Sequence, residues 1–291
     1  MYLEIEDLSK KIGKQTIFDH VSFAAEKSDV IALIGRNGSG KTTLLQNIMT
    51  VMTPDSGDVL IEEKSVYDNP GLLEKMVLVP DRFDYFKFTN LKKVIEYFAI
   101  LYDGFDRKRA MDEFNDLGIS IDKSMNTLSK GQLTLTAIIL NLCTGAEIML
   151  IDEPYDGIDV VNRKKIDEFI VEMADSGKVV IVSSHNLDKL EMMATKTVYL
   201  ETGRSGILLD EQKLNQYYKY QIVYKEEEGI EFDKESDVIL LQKIGRVVTI
   251  LTTRNQAQMN GFLNSDKVSQ YDILKVTTED LFFWDQKKGG I

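Results

Sequence analysis

The residues of this sequence that are best suited to chemistry form a short glycine-rich run, GRNGSGKT, at positions 35–42. The run matches the pattern G-x-x-x-x-G-K-[ST], and it lies directly after an apolar, strand-like segment and directly before a helix-like one. Glycines let successive backbone N–H groups turn inward around a phosphate, and the positive end of the following helix points at the same place. The spacing therefore predicts a loop that binds the phosphates of a nucleotide.

Each residue of this loop has an expected role. Lys41 would reach the β- and γ-phosphates, the Thr42 hydroxyl would bind Mg²⁺, and Thr43 would offer its hydroxyl or amide on the α-phosphate side. The predicted nucleotide-binding residues of the segment are Gly35, Arg36, Asn37, Gly38, Ser39, Gly40, Lys41, Thr42 and Thr43.

A second apolar run, residues 147–151, ends in the adjacent carboxylates Asp152 and Glu153. We expect Asp152 to hold Mg²⁺ through a water molecule, and Glu153 to lie beside the γ-phosphate, where it can polarise the attacking water as a general base. An Asp-Glu pair at a strand end is by itself more typical of a turn. Its combination with the phosphate-binding loop is what favours a role in chemistry.

Three further segments point to one family of phosphate-loop proteins. Residues 128–132, LSKGQ, resemble the LSGGQ signature of ABC-type ATPases, residues 156–159 resemble the D-loop of that family, and His185 resembles its switch histidine. With the loop and the carboxylates, these motifs follow the order of the family over about residues 1–210. The sequence therefore resembles the ATP-binding subunit of an ABC transporter, and most of all those of bacterial peptide and antibiotic exporters.

The resemblance implies that two such domains dimerise head to tail, so that the signature of one chain closes over the ATP held by the other. Ser129, the backbone of Gly131 and Gln132 are then expected to bind nucleotide, because they lie at a helix N-terminus, which favours a phosphate. His185 is expected to contact the γ-phosphate and to hold the attacking water. Hydrolysis would remove the bridging phosphate and weaken the dimer, as in a chemically driven clamp.

Three positions depart from the family pattern. Ile12 stands where the family has an aromatic residue that stacks on adenine, so adenine binding is expected to be weaker or to come from a neighbour such as Phe18. Asp81 stands at the position of the Q-loop glutamine, and its carboxylate could ligate Mg²⁺ directly or through water, or it could slow turnover by shifting metal and water. Lys130 replaces the middle glycine of the signature, with a side chain that can point outward.

The elements that must position these residues alternate along the chain. Strand-like runs at 29–34, 147–151 and 178–183 are followed or preceded by helix-like stretches at 42–52 and 160–174. Apolar runs without a period of two are typical of strands covered on both faces. The pattern predicts the α/β class, with a phosphate-loop NTPase core built on a mostly parallel sheet.

Helical spacing replaces the strand signals between Thr89 and Leu142, which predicts an ABC-type helical subdomain at about residues 85–142. Apolar runs at 197–200 and 206–209 predict a hairpin that closes the core. We therefore expect an ABC ATPase domain at residues 1–210.

After about Asp210, short apolar runs at 238–241, 247–251 and 271–276 alternate with polar stretches. They predict a small α+β extension at residues 211–291, close to the lower size limit for independent stability. Its tail, residues 278–283, resembles the tail of ATPases that serve bacterial exporters.

Composition narrows the function further. The 291 residues carry 35 Lys and Arg against 47 Asp and Glu, a net charge of −12, which opposes a nucleic-acid groove, and we expect no nucleic-acid partner. One cysteine and two histidines exclude an intramolecular disulfide and an ordinary zinc site and fit a reducing compartment. The sequence shows neither a secretory signal nor a membrane-spanning run, so we expect a cytoplasmic protein that is peripheral on the inner face of the membrane.

The favoured hypothesis is an ATP- and Mg²⁺-dependent subunit that powers export of a peptide, antibiotic or other amphipathic cargo. Its expected partners are a second ABC ATPase chain, identical or different, and separate transmembrane permease subunits. The aromatic segment at residues 83–88 would either anchor the permease or pack under the helical subdomain. The alternatives are a regulatory ATP-binding subunit with weak hydrolysis and an ABC factor that acts on nucleic acid or ribosomes.

Overall fold

The computed structural model describes residues 1–185, 190, 193–203, 207–209, 214–226, 237–277, 280, 281, 283, 284 and 287. The chain divides into two compact units, residues 1–208 and 209–291. The predicted exporter-like tail at 278–283 and the hairpin run at 206–209 lie partly outside the described residues. Among the described residues, no helix is both long and apolar enough to cross a membrane.

A largely parallel sheet forms the centre of the first unit. Its strands run in the order β10-β9-β3-β8-β7-β6, and neighbours from β9 to β6 are parallel. The bounds are β3 Val30–Ile34, β6 Met76–Val79, β7 Ile148–Ile151, β8 Val179–Ser184, β9 Lys196–Tyr199 and β10 Ile207–Leu209. The predicted α/β class with a mostly parallel sheet is confirmed.

The parallel sheet is buried on both faces, which explains its apolar strands. Along β3, Val30, Ala32 and Ile34 face one hydrophobic core, whereas Ile31 and Leu33 face the other. Because successive side chains of a strand point to opposite faces, a continuous apolar run is what such a central strand requires.

A second, antiparallel sheet of order β2-β1-β4-β5 packs over one of these cores. Its strands are β1 Leu3–Ile12, β2 Gln15–Ala25, β4 Ser56–Ile61 and β5 Lys64–Ser65. Phe18 of β2 is completely buried in that core, so the expectation that it could stack on adenine is wrong. The Ile12 side chain, in contrast, is exposed.

The described residues of this unit form five α-helices, namely α1 Lys41–Ile48, α2 Leu91–Leu101, α3 Arg107–Asp116, α4 Lys130–Leu142 and α5 Val160–Asp175. Helices α2 to α4 fall in the segment where helical spacing predicts a subdomain. Side-chain oxygens of Asn90, Asp106, Ser129 and Asp159 cap helices α2 to α5 by accepting backbone N–H groups of the first turn.

The aromatic segment at 83–88 divides between the two predicted roles. Phe83 is buried and contacts the half-buried ring of Phe86, whose centroid lies 5.7 Å away. Tyr85 and Phe88 are exposed instead. Part of the segment therefore packs under the subdomain, and part remains accessible.

The second unit is built on an antiparallel sheet of order β12-β13-β11-β14. Its strands are β11 Tyr218–Tyr224, β12 Val238–Ile244, β13 Val247–Thr252 and β14 Val268–Leu274, and α6 Gln256–Leu263 joins β13 to β14. Tyr220, Ile222 and Met259 share a core with their neighbours on one face of this sheet.

Candidate functional site

The loops that follow strands β3, β6, β7 and β8 meet at one edge of the parallel sheet. Because parallel strands end side by side, residues far apart in sequence come together there. A cavity of about 390 Å³ opens at this edge. It is lined by Ile17, Asn37, Gly38, Gly40, Lys41, Thr42, Thr43, Asp81, Glu153, Asp156 and His185.

The phosphate-binding loop leads into α1 without a side-chain cap. Gly40 adopts φ 101°, and no side chain accepts a hydrogen bond from the first turn of the helix among the described residues. A Cβ at Gly40 would lie 2.6 Å from Ile17 Cγ2, so glycine is required both for the backbone angle and for space. The N–H groups of the first turn are therefore available to an anion.

Lys41, the first residue of α1, is almost completely buried. Its Nζ donates to the carbonyl oxygens of Gly35 at 2.7 Å and Arg36 at 3.2 Å, and it lies 3.0 Å from Glu153 Oε1. A buried ammonium needs such partners, because desolvation of a charge is costly. The loop thus folds back on Lys41 and holds its charge at the floor of the cavity.

Asp152 accepts two hydrogen bonds from hydroxyl groups. Thr42 Oγ1 donates to Asp152 Oδ2 at 2.7 Å, and Ser183 Oγ donates to Oδ1 at 2.6 Å. Burial raises the pKa of the Asp152 carboxyl above its usual value, the two hydroxyls oppose this rise, and the nearby Glu153 and Asp81 add to it. A cation bound to Asp152 would offset the free-energy cost of burying its charged carboxylate, as expected of a metal ligand.

Glu153 is held in a strained backbone conformation. Its φ is 45°, in the left-handed region that residues with a side chain rarely adopt, and its N–H donates to Ser183 Oγ at 2.8 Å. Its Oε2 lies 2.9 Å from His185 Nδ1, while Oε1 faces Lys41. The structure therefore brings the two predicted catalytic residues, Glu153 and His185, into direct contact.

Ser183 is a site residue that the sequence analysis missed. It is completely buried at the end of β8, and it links Asp152 to the Glu153 backbone. The signal in the sequence was the pair Ser183-Ser184, which ends an otherwise apolar run directly before His185. A buried hydroxyl must find partners, and here the partners are both carboxylate residues.

Asp81 lies in the loop after β6 and lines the cavity together with Thr42. Its Oδ1 is buried and accepts no hydrogen bond from the described part of the chain. Such an oxygen fits a cation ligand. The described residues contain no group of three or more His, Cys, Asp and Glu side chains arranged for a metal, so phosphate oxygens would have to complete the coordination.

The signature residues have a different location. Ser129 and Gln132 form a capping box at the start of α4, with Gln132 N donating to Ser129 Oγ at 3.2 Å and Ser129 N to Gln132 Oε1 at 3.1 Å. Gly131 is close to α5, where a Cβ would lie 2.6 Å from Asn162 Nδ2. None of the three belongs to the cavity lining formed by the described residues.

The structure shows the surroundings of Lys130 and Ile12, two positions that depart from the family pattern. Lys130 is exposed to solvent, and its Nζ donates to the exposed Asp156 Oδ2 at 2.9 Å. Ile17 of β2 lines the cavity, whereas Ile12, at the end of β1, does not belong to the described lining. The apolar residue nearest to the loop is thus an isoleucine that the sequence analysis did not single out.

Comparison with known proteins shows which proteins this chain resembles. The ABC transporter family profile matches residues 18–156. The ABC transporter ATP-binding protein YtrB of Bacillus subtilis strain 168 is 27% identical over 290 residues, covering 99% of this chain and 98% of YtrB. Residues 18–156 therefore form an ABC transporter ATP-binding domain, and the chain as a whole is similar to ABC transporter ATP-binding proteins. It is accordingly an ABC-type ATPase, the ATP-binding subunit of a transporter.

Other ABC relatives have names that indicate opposite directions of transport. The xylose/arabinose import ATP-binding protein XylG of Sulfolobus acidocaldarius is 28% identical, covering 69% of this chain and 85% of XylG. The Nod factor export ATP-binding protein I of Ralstonia nicotianae is 28% identical, covering 69% of this chain and 65% of that protein. The relatives therefore do not decide between import and export.

The fold of the ATPase domain has solved counterparts. The ATP-binding cassette MJ0796, solved as a dimer in a post-hydrolysis state with ADP and Pi, superposes with a TM-score of 0.64 at 22% identity, covering 72% of this chain and 98% of that one. This likeness establishes the ABC cassette fold of the present ABC ATPase.

Proposed function

We propose that this ABC ATPase binds Mg-ATP in the cavity at the end of its parallel sheet and hydrolyses it there with Glu153 as the general base. The observation that carries the proposal is the buried contact of Lys41 Nζ with Glu153 Oε1, at 3.0 Å, beside the uncapped start of α1. A cation, a carboxylate and a set of backbone donors at one point can accommodate a triphosphate and a water molecule.

Different residues of the loop would bind different parts of the triphosphate. The backbone N–H groups from Gly38 to Thr43 would surround the phosphates, and Lys41 would neutralise the β- and γ-phosphates. Ser39 supports this arrangement, because its Oγ is buried without a hydrogen-bond partner among the described residues. Gly35, Arg36 and Asn37 complete the loop, and the carbonyl oxygens of Gly35 and Arg36 accept hydrogen bonds from the Lys41 ammonium.

The residues proposed to hold Mg²⁺ are Thr42, Asp152 and Asp81. The Thr42 hydroxyl and the Asp152 carboxylate already contact each other at 2.7 Å, and Asp81, whose Oδ1 accepts no hydrogen bond from the described residues, lines the same cavity. When bound, Mg²⁺ would neutralise charge on the phosphate oxygens. The coordination needs oxygen atoms of the nucleotide, since two carboxylates alone do not form a closed set.

Glu153 must change partners for the reaction. In this structure Lys41 and His185 contact its two oxygens. Phosphate oxygens would attract the Lys41 ammonium and leave Glu153 Oε1 able to accept the proton of the attacking water. His185 would keep its contact with Oε2, which orients the carboxylate towards the γ-phosphate.

We also propose that the chain works as a dimer in which Ser129, Gly131 and Gln132 face the nucleotide of the other chain. Their position at the capped N-terminus of α4, away from the cavity of their own chain, supports a role in trans. The helix dipole would favour a γ-phosphate brought by the partner. ABC ATPases combine such dimers with separate permease components, and a permease would hold this chain at the membrane.

For the direction of transport, we propose export of a peptide, antibiotic or other amphipathic cargo. Support comes from the resemblance of residues 278–283 to exporter ATPase tails and from the Nod factor export relative. The import relative XylG is the argument against it. With the permease in inside-out vesicles, added ATP should drive accumulation of the cargo in the lumen, and ATP-driven release would show import instead.

The first experiment is affinity purification of the tagged Glu153→Gln variant from detergent-solubilised membranes with Mg-ATP, which should hold the dimer closed. We expect a multi-span membrane protein in stoichiometric yield, and mass spectrometry will show whether the second ATPase chain is the same or different. The matched control is Glu153→Gln with the additional change Lys41→Met, which should not form the closed dimer. Recovery of soluble partners alone from the first variant would contradict the permease assignment.

A further inference from the structure

Two of the positions at which this chain departs from its family pattern lie close to one another in the folded protein. Lys130 Nζ is 3.8 Å from Asp81 Oδ1 and 2.9 Å from Asp156 Oδ2. Asp81 follows β6, Lys130 begins α4, and Asp156 follows β7, so the contact joins three separate segments. One ammonium group thus connects the signature helix to two loops that line the nucleotide cavity.

The Lys130 side chain lies beside Gly157 of the D-loop. Gly157 adopts φ 65°, and a Cβ at this position would lie 3.6 Å from both Cδ and Nζ of Lys130. The lysine side chain therefore runs beside the D-loop, at a distance that would leave room for a Cβ at Gly157. Its ammonium group lies next to the acidic side chains of Asp81 and Asp156.

The two carboxylates are not equivalent partners of Lys130. Asp156 accepts a hydrogen bond from it, whereas Asp81 Oδ1 is at ion-pair distance and accepts no hydrogen bond from the described residues. Arg82 Nε is 4.0 Å from the other oxygen of Asp81, but the Arg82 side chain is exposed to solvent. Because Asp81 Oδ1 is shielded from water and the Lys130 ammonium is not within hydrogen-bond distance, this oxygen can bind another cation at a shorter distance.

We infer that Lys130 is a positioning residue that competes with the divalent cation of the site for Asp81. The inference rests on the proposed function, in which Asp81 is a cation ligand. Two positive charges beside one carboxylate repel each other, so cation binding would shift Lys130 from Asp81 towards Asp156 alone. Because Lys130 is the first residue of α4, occupancy of the cation site in one chain is thereby communicated to the signature that faces the partner chain.

The test is the affinity of the full-length protein for Mn²⁺ in the presence of ADP, measured from the electron paramagnetic resonance signal of free Mn²⁺. Lys130→Met removes the charge and keeps the stem, and we expect Mn²⁺ to bind about two- to five-fold more tightly, the range for a partly exposed ion pair. Lys130→Arg should keep the affinity of the unchanged protein. Lys27→Met is the matched control, since it removes the exposed partner of Glu147 at the opposite ends of the strands.

Asp81→Asn separates this inference from the proposed function. We expect Asp81→Asn to weaken Mn²⁺ binding and to abolish the effect of adding Lys130→Met, because the two charges act on the same group. If Asp81→Asn weakens Mn²⁺ binding but Lys130→Met changes nothing, the competition is wrong and the metal role of Asp81 stands. If Asp81→Asn leaves Mn²⁺ affinity unchanged, Asp81 is not a ligand and the inference falls with that part of the proposed function.

Discussion

Both ends of the parallel sheet carry clusters of charged residues, and the predicted catalytic pair, Glu153 and His185, lies at the carboxyl end. At the amino ends of the strands, Lys27 Nζ lies 2.8 Å from Glu147 Oε2, and Lys75 Nζ lies 2.9 Å from Glu62 Oε2. At the carboxyl ends, Lys41 and Glu153 are 3.0 Å apart. The distances are similar, so distance alone does not identify the functional end.

Burial of the charged side chains makes the difference. The Lys41 and Glu153 side chains are 5% and 16% exposed, whereas those of Lys27 and Glu147 are 53% and 38% exposed. Water screens the exposed pair and leaves it worth little, whereas a buried pair interacts strongly with any ion that enters. The carboxyl end also has the start of α1, where no side chain of the described residues caps the helix and the backbone N–H groups are open to an anion.

The largest expected effect comes from the same substitution made at the two ends. Glu153→Gln should lower kcat for ATP hydrolysis by about 10²- to 10⁴-fold, because the amide cannot accept the proton of water. Glu147→Gln should leave kcat unchanged, since it lies before β7 instead of after it. Steady-state phosphate release at saturating Mg-ATP measures both. Absence of turnover in the unchanged protein, alone and with its permease, would favour a regulatory subunit.

Substitution of one lysine at each end of the sheet tests whether position or charge governs ATP binding. Lys41→Met should raise the Kd for ATP by about 10- to 100-fold, the value of one to two charge-assisted hydrogen bonds. Lys27→Met removes a lysine of equal charge from the other end and should not change this Kd. Equilibrium binding of a fluorescent ATP analogue gives both values. Equal losses in the two variants would show that net charge, not position, governs affinity.

A hydroxyl pair tests whether positioning matters. Ser183→Ala removes the donor to Asp152 and the acceptor of the Glu153 N–H, and kcat should fall by about 5- to 30-fold. Thr195→Val removes the hydroxyl that donates to Asp29 Oδ1 at 2.8 Å at the amino end, and it should lower stability without changing kcat. A larger effect on KM than on kcat in Ser183→Ala would contradict a positioning role for this residue.

The smallest expected effect is the pH dependence of stability that comes from Asp29, at the amino end of the sheet. Burial alone would raise the pKa of Asp29, but hydrogen bonds from Lys196, the Glu26 N–H and Thr195, with the charge of Lys196, bring it below its usual value. The resulting stabilisation is present above the ordinary pKa of aspartate and is lost as pH falls through the lower, folded value.

Asp29→Asn should therefore lower the free energy of unfolding by about 1 kcal/mol at pH 7 and by much less near pH 3. Urea unfolding followed by circular dichroism at the two pH values measures the difference. A loss that is equal at both values would show that the Asp29 carboxylate charge contributes nothing. ATP turnover at pH 7 should be unchanged, in contrast to the effect of any carboxylate substitution at the other end of the sheet.

Much of the fold follows from local patterns. Strands β3, β7 and β8 and helix α5 occur where apolar runs and helical spacing predict them. The antiparallel sheet of β1, β2 and β4 was not predicted, because the residues of these strands are only partly apolar and β1 pairs with β4 across a long sequence separation, although β1 and β2 form a local hairpin. Such strands derive their stability from cross-strand pairing and burial, which a single segment does not reveal.

The sequence by itself determined the loop at 35–42, the adjacent carboxylates Asp152 and Glu153, and the family resemblance, because each motif consists of residues adjacent in the chain and the motifs occur in the order of the family. Only the tertiary structure decided that Ser183 joins both carboxylates, that Phe18 is buried, and that Lys130 lies between Asp81 and Asp156. The physical reason is that parallel strands bring their carboxyl ends together regardless of separation in sequence, so charges that have no local relation become neighbours.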